Sequence, residues 1–227
     1  MTWEPLLLSL QIATIAMCVS LVLGTSLAVL LGWKKLPARD FVDAIVSAPL
    51  VLPPTVLGYY LFTALGPDSA VGRGWHWLTG HNIVFTFTGA VIAATVGALP
   101  LVVRTVRVGL DAVEPNLVAA ARTLGASPVR VLVTVTLPLA APGIAAGAML
   151  GFARALGDYG ITQVVASTHI DGIGIQHTSP ASIYMYDQFI GGHGDAAIGM
   201  AIATTIVGVA ILFAANRLTR RLHHHRV

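Results

Sequence analysis

Long apolar runs alternate with short polar segments along this chain, and the runs set the elements it predicts. The first extends from Pro5 to Trp33 without a charge. The second extends from Ala44 to Pro67 and is broken near its start by the stretch LPPTV. The third spans Ile83 to Val103, and the fifth spans Ala196 to Asn216. A membrane helix needs about 20 mostly apolar residues, and each run meets that length. The fourth run admits two placements. Hydropathy alone selects Val131 to Ala153, the longest charge-free window there. The alternative begins after Pro138 and reaches Ala166, enclosing Arg154 and Asp158. The segment VRVLVTVTL alternates β-branched residues with others, which is strand-like, so local propensity does not choose between them. The expected fold is all-α and polytopic, with five transmembrane helices.

Composition agrees with lipid as the solvent. Of 227 residues, 56% are hydrophobic and 10% charged, and mean hydropathy is +0.80. Soluble domains are about one-quarter charged. One integral membrane domain over residues 1–216 is expected, followed by a basic tail over 217–227. The lone cysteine, Cys18, excludes a disulfide framework and a cysteine metal cluster. No cleavable signal is expected, because the first run lacks a basic leader and is too long.

Charge supplies the orientation. Lys34, Lys35 and Arg39 follow the first run, Arg104, Arg107, Arg122 and Arg130 the third, and Arg217, Arg220, Arg221 and Arg226 the fifth. The other loops hold only Arg73. Basic residues collect on the cytoplasmic side, so the N-terminus is expected outside and the C-terminus in the cytoplasm. In a membrane chain the basic pI of about 9.4 reflects this asymmetry rather than a nucleic-acid partner. The outer loops are then GPDSAVGRGWHWLTGHN, whose tryptophans suit the membrane interface, and the long glycine-rich segment from Ser167 to Asp195.

The stretch EPNLVAAARTLGASPVRVLVTVTLP, Glu114 to Pro138, places a polar hinge on the cytoplasmic side. Pro115 suits a first helical position, with Glu114 as its cap and Asp111 at capping-box spacing. Gly125 suits the left-handed position past a helix end. Ser127 and Pro128 repeat the start signal. A short helix from Pro115 to Leu124 is expected, with Leu117, Ala120, Ala121 and Leu124 on one face. Spacing alone leaves three roles open: a docking element, a helix that supports the bundle, or a surface touching anionic lipid.

Other residues are candidates for a pathway. Pro53 and Pro54, followed by Thr55, remove backbone donors within the second run, which suits a gate or a packing kink. Arg154 and Asp158 share a helix face. Charge at membrane depth is a functional candidate by default, yet these two also suit a structural ion pair that stabilises a turn at GDYG. The eight histidines include His169, His177 and His193 in one loop and His223 to His225 in the tail, without ligand spacing, so no metal is expected. No phosphate-binding GxxxxGK[ST] loop is present, so the chain is not itself an ATPase. An intramembrane enzyme would need convergent acid/base groups, and Arg154 and Asp158 alone qualify. A non-transporting membrane scaffold is the other alternative.

AAARTLGASPVRVLVTVTLP resembles the cytoplasmic EAA loop of ABC importer permeases. Ala120 and Ala121 match the paired alanines, Gly125 the glycine, and, nine residues on, Val135, Thr136, Leu137 and Pro138 match the closing pattern. The family glutamate falls on Ala119, which removes a charge able to contact an ATPase. APLVLPPTVLGYYL, FARALGDYGITQVVA and PLLLSLQIATIA are similar to molybdate importer permeases, which usually carry Glu-Phe at Asp158-Tyr159. The resemblance implies the type I importer permease fold, with a coupling loop over about 111–138, and favours the later placement of the fourth span. It implies ATPase coupling through Ala119, Ala120, Ala121, Arg122, Leu124, Gly125, Leu137 and Pro138, and no catalytic residue. Its implied partners are a second copy of the chain, two ATPase subunits that bind ATP and magnesium, an external oxyanion-binding protein and membrane lipid. The implied location is a bacterial inner membrane. The implied cargo is molybdate, with tungstate, sulfate and thiosulfate as alternatives.

Overall fold

The structure, a computed structural model, describes residues 3–32, 38–166 and 170–224. Lys34, Lys35, Ser167, His169, His225 and Arg226, which entered the sequence reading, lie outside the described residues.

Among the described residues, three helices are long and apolar enough to cross a membrane without a break: α1 (Glu4–Gly32), α5 (Phe87–Asp111) and the first 24 residues, Gly194–Arg217, of α12 (Gly194–His224). Two further candidate spans are bent pairs. α2 (Arg39–Val51) and α3 (Pro54–Leu65) meet at 118°. The segment Pro128–Leu139 meets α9 (Ala141–Leu156) at 68°. The expected five spans are reached when each bent pair is counted as one.

Prolines explain the first bend. Leu52 and Pro53 are both extended, with ψ of 138° and 137°. A residue before proline is driven out of the helical region, and here two consecutive residues obey that rule. Pro54 then opens α3, where its missing N–H costs nothing.

Packing fixes the direction of each element. Near one end of the bundle, Leu8, Ile12 and Ala13 of α1 share a cluster with Ala90 and Ala94 of α5. Farther along, Ala28 and Leu31 share a cluster with Val102, Val103 and Val106. α1 and α5 therefore run parallel. α9 runs antiparallel to α5: Cβ atoms on Gly143, Gly147 and Gly151 would lie 2.5, 3.0 and 2.8 Å from Gly109, Val106 and Val102. Glycines one turn apart let the backbones approach, the usual device where lipid supplies no hydrophobic drive between helices. α2 sits beside the far end of α5, where Arg104 Nη2 donates to Ser47 Oγ at 3.0 Å and Arg107 faces Asp43 at 3.7 Å. Leu57 of α3 clusters with Ala93 near the start of α5. The bent pair thus returns the chain from one end to the other.

The fourth span corrects both placements. Val131 to Leu139 lies across the 68° bend from α9, so the charge-free window is not one helix. α9 stops at Leu156, and the chain resumes as α10 (Gly160–Val165). The strand-like segment is helical, and Leu132–Thr136 is a π-turn between α7 (Pro128–Val131) and α8 (Leu137–Leu139). Pro138 follows that turn. Its ring would clash with the carbonyl four residues back in a regular helix, and widening the turn relieves this.

Two loops hold unforeseen elements. The tryptophan loop forms α4 (Ala70–Thr79), capped by Ser69 Oγ accepting from Gly72 N at 2.8 Å. Trp77 and Leu78 of α4 are 85% and 73% exposed, as suits a helix lying at an interface. The glycine-rich loop holds a hairpin of β1 (Ile170–Gly172) and β2 (Ile175–Thr178), then α11 (Ala181–Ile190). Gln11 binds the hairpin tip through both amide atoms, and Ser9 Oγ accepts from Ala181 N at 2.8 Å.

Candidate functional site

At the end of the bundle opposite the hairpin, the chain leaves α5 and forms α6 (Pro115–Thr123). Pro115 takes the first helical position as the sequence predicts. Glu114 occupies the cap position, but its side chain caps no backbone N–H; Oε1 accepts from Asn116 Nδ2 at 3.1 Å. Asp111 is not a cap either: it ends α5 and faces Arg107 at 3.9 Å.

The C-terminal end is closed more firmly. Gly125 has φ +83°. Its N–H donates to the Arg122 carbonyl at 3.0 Å, and Ala126 N–H donates to the Ala121 carbonyl at 3.2 Å. This is the Schellman pair of bonds around Gly125, and the helix ends one residue earlier than the sequence suggests because Leu124 is the cap rather than the last helical residue. Ser127 Oγ then accepts from Arg130 N at 3.3 Å and starts α7. α6 buries no residue in this chain. Ala119, Ala120 and Arg122 are exposed, Ala121 is half-buried, and Leu124 is 88% exposed. Leu137 and Pro138 are half-buried, beyond the π-turn. The result is a short helix, rigidly ended, with small and apolar side chains left exposed.

The second group of candidates lies within the bundle. Arg154 Nη1 donates to Asp158 Oδ1 at 2.8 Å. Asp158 Oδ2 accepts from Thr162 N at 2.9 Å and Thr162 Oγ1 at 2.6 Å. Ser182 Oγ of α11 donates to the Asp158 carbonyl at 2.8 Å. The break between α9 and α10 is therefore held by one carboxylate and its own carbonyl. Pro53, Pro54 and Thr55 are exposed on the other bent pair. The two breaks touch: a Cβ on Gly160 would lie 2.6 Å from Pro54 Cβ and 3.5 Å from Thr55 N. Both sets of candidates within the bundle thus converge, while the α6 group stands apart at its end.

Comparison with known proteins decides the family. Residues 20–226 match the family described as binding-protein-dependent transport system inner membrane component. The chain belongs to this family of transport membrane components. It is 38% identical over 211 residues to the molybdenum transport system permease protein ModB of Escherichia coli K12, covering 92% of this chain and 90% of that one. It is 37% identical to the protein of the same name from Haemophilus influenzae, over 95% and 92% of the two chains. In fold it is similar to a chain of the MetNI methionine ABC transporter, with TM-score 0.77, 20% identity and 96% coverage of each. A bacterial ABC transporter importing alginate gives TM-score 0.68 at 18% identity, over 96% of this chain and 80% of the other.

Within this permease, sequence reasoning passed over Thr162, Ser182 and Gln11. Thr162 had a usable signal, because it stands four residues after a carboxylate and faces it from the next turn. Ser182 and Gln11 had none: their partners lie 24 and 162 residues away.

Proposed function

We propose that this chain is the membrane-spanning subunit of an ATP-driven molybdate importer, and that two copies together form its path. The observation that carries the reading is α6, a capped helix with no buried residue at the end of the bundle where Arg104 and Arg107 lie. Basic residues belong on the cytoplasmic side, so α6 faces the cytoplasm and the hairpin faces outward. α6 docks in a separate ATPase through Ala119, Ala120, Ala121, Arg122 and Leu124, with Gly125 ending the helix. An external oxyanion-binding protein delivers the cargo at the hairpin end.

The order of the elements supports a route for this coupling. α6 leaves the end of α5 and leads through α7 and the π-turn to α9. Its C-terminal turn is closed by two backbone bonds. When ATP closes the ATPase pair, α6 therefore moves as a rigid piece and displaces both α5 and α9, whereas a frayed helix would absorb the motion. Leu137 and Pro138 lie where that motion enters the membrane, and the Pro53–Pro54 break supplies the gate. Asp158 is a poor catalytic group, since both its oxygens already accept hydrogen bonds.

The test is reconstitution of the chain with its ATPase and binding protein in lipid vesicles. ATP-dependent uptake of molybdate exceeding that of sulfate is expected, with tungstate measured alongside. Preferred uptake of sulfate or thiosulfate would overturn the cargo, and absence of any ATP-driven oxyanion uptake would overturn the function.

A further inference from the structure

We propose that the open edge of the Arg154 guanidinium is a transient station for a tetrahedral oxyanion at mid-depth, and that Asp158 is the positioning residue that keeps this station weak; the inference rests on the importer reading above. The first observation is an asymmetry of burial. The Asp158 side chain is 2% exposed and the Arg154 side chain 29%. An ion pair of this shape hides its anion and presents its cation.

The second observation is an unequal use of hydrogen-bonding capacity. Asp158 spends both oxygens, one on Arg154 and one on Thr162. Among the described residues Arg154 uses only Nη1 in that bond, which leaves Nε and Nη2 for another acceptor. Nη2 lies against α5, where a Cβ on Gly97 would come within 3.5 Å of it. The nearest atom to that Cβ is Ile161 Cδ1 at 2.8 Å, so glycine there lets both Ile161 and the guanidinium seat against α5.

The third observation is depth. Gly97 is ten residues into α5, so it stands about 15 Å along that helix. An open cationic edge at this level is costly against lipid, so it is suited by a watery path instead. A planar guanidinium offers parallel donors to two oxygens of a tetrahedral oxyanion, which an ammonium cannot do. Alone it would hold a dianion too firmly for transport. The adjacent carboxylate opposes that charge, while the open donors still make contact at short range. The contact is brief, and no bond is made or broken.

The experiment uses the complete complex in vesicles and measures molybdate imported per ATP hydrolysed. Arg154→Lys keeps a charge for Asp158 but loses the fork. The double variant Arg154→Gln, Asp158→Asn removes both charges and retains polar groups at the break. Copurification of the ATPase identifies assembled complexes. We expect the ratio to fall about tenfold in both assembled variants. Asp158→Asn should leave Arg154 unopposed, so sulfate should inhibit molybdate uptake at least fivefold more strongly than in the wild type, a change that a structural role does not produce. A wild-type ratio in either Arg154 variant, or unchanged sulfate inhibition in Asp158→Asn, overturns the proposal. Wild-type vesicles that import no oxyanion overturn the importer reading itself, and this inference with it, so the two failures are distinct.

Discussion

Gly109 of α5 and Gly143 of α9 bring two backbones into direct contact. A Cβ built on Gly109 would lie 2.7 Å from Gly143 Cα, and one on Gly143 would lie 2.5 Å from Gly109 Cα. The crossing stands where the chain leaves α5 for α6 and where it returns into α9. The whole hinge is therefore a loop whose two ends are clamped together. Gly143→Leu must push the helices apart, at a cost of about 1–3 kcal/mol for overpacking. A lower Tm of the purified protein in detergent is the expected outcome. Gly32→Ala is the control, because a Cβ there meets nothing within 4 Å. Equal Tm values for the two variants would show that the crossing yields easily.

Gly125 isolates backbone conformation from packing. Its φ is +83°, yet a Cβ there meets nothing within 4 Å. A β-branched residue in this region costs upward of about 1–2 kcal/mol, and asparagine tolerates it. Gly125→Val is expected to reach the membrane, retain the ATPase poorly and import little. Gly125→Asn is expected to behave nearly as wild type. Pull-down of the ATPase together with vesicle uptake reads both. Normal coupling in the valine variant would remove α6 as the coupling element.

The sequence made much of this hinge legible because its signals are local. Pro115, Gly125, Ser127 and Pro128 each act on their own backbone, and each does so in the structure. The break at Pro53 and Pro54 was legible for the same reason. The end of α9 was legible only as a turn at GDYG beside an ion pair. No proline or positive φ marks it; the chain turns because Asp158 collects Arg154, Thr162 and Ser182 around itself. The π-turn was misread because Val133, Thr134, Val135 and Thr136 carry a strand-like pattern, while α7 and the helical segment after Pro138 impose helix on it. The hairpin was hidden because Gln11, far away in the chain, holds its tip.

Restoring backbone donors at the break in the second span should straighten it. Pro53→Ala with Pro54→Ala removes the restriction on Leu52 and returns two N–H groups to the helix. The variant is expected to insert and assemble but to import several-fold less. Uptake in vesicles, normalised to assembled complex, checks it. Normal uptake would reduce the bend to a packing kink.

Orientation is testable at Asn116 and Ile173, both of which are exposed, on α6 and at the hairpin tip. In a background with Cys18→Ser, Ile173→Cys is expected to react with an impermeant thiol reagent in intact cells. Asn116→Cys is expected to react only after the membrane is opened. The reverse pattern would invert the chain and move α6 away from any cytoplasmic ATPase.

Gln11 gives the sharpest test of how the outer hairpin is held. Nε2 donates to the Ile173 carbonyl at 2.7 Å, and Oε1 accepts from Ile173 N at 2.9 Å. One side-chain amide thus satisfies both backbone groups of the residue at the turn, 162 positions away. Such bonds contribute about 0.5–1.5 kcal/mol each, toward the lower value here because the pair is exposed. Gln11→Ala loses both. Gln11→Glu keeps the acceptor for Ile173 N but turns a second oxygen toward the Ile173 carbonyl, so it is expected to hold the tip no better than alanine. The combined loss of about 1–2 kcal/mol corresponds to roughly tenfold more frequent opening of the hairpin. Amide hydrogen exchange at Ile173 and its neighbours reads that opening directly. Exchange about tenfold faster in both variants is expected, with the amides of α5 unchanged. Wild-type exchange at Ile173 in the alanine variant would mean that the contacts of α11 with α1, through Ser9 and Ala181, hold the loop without the amide.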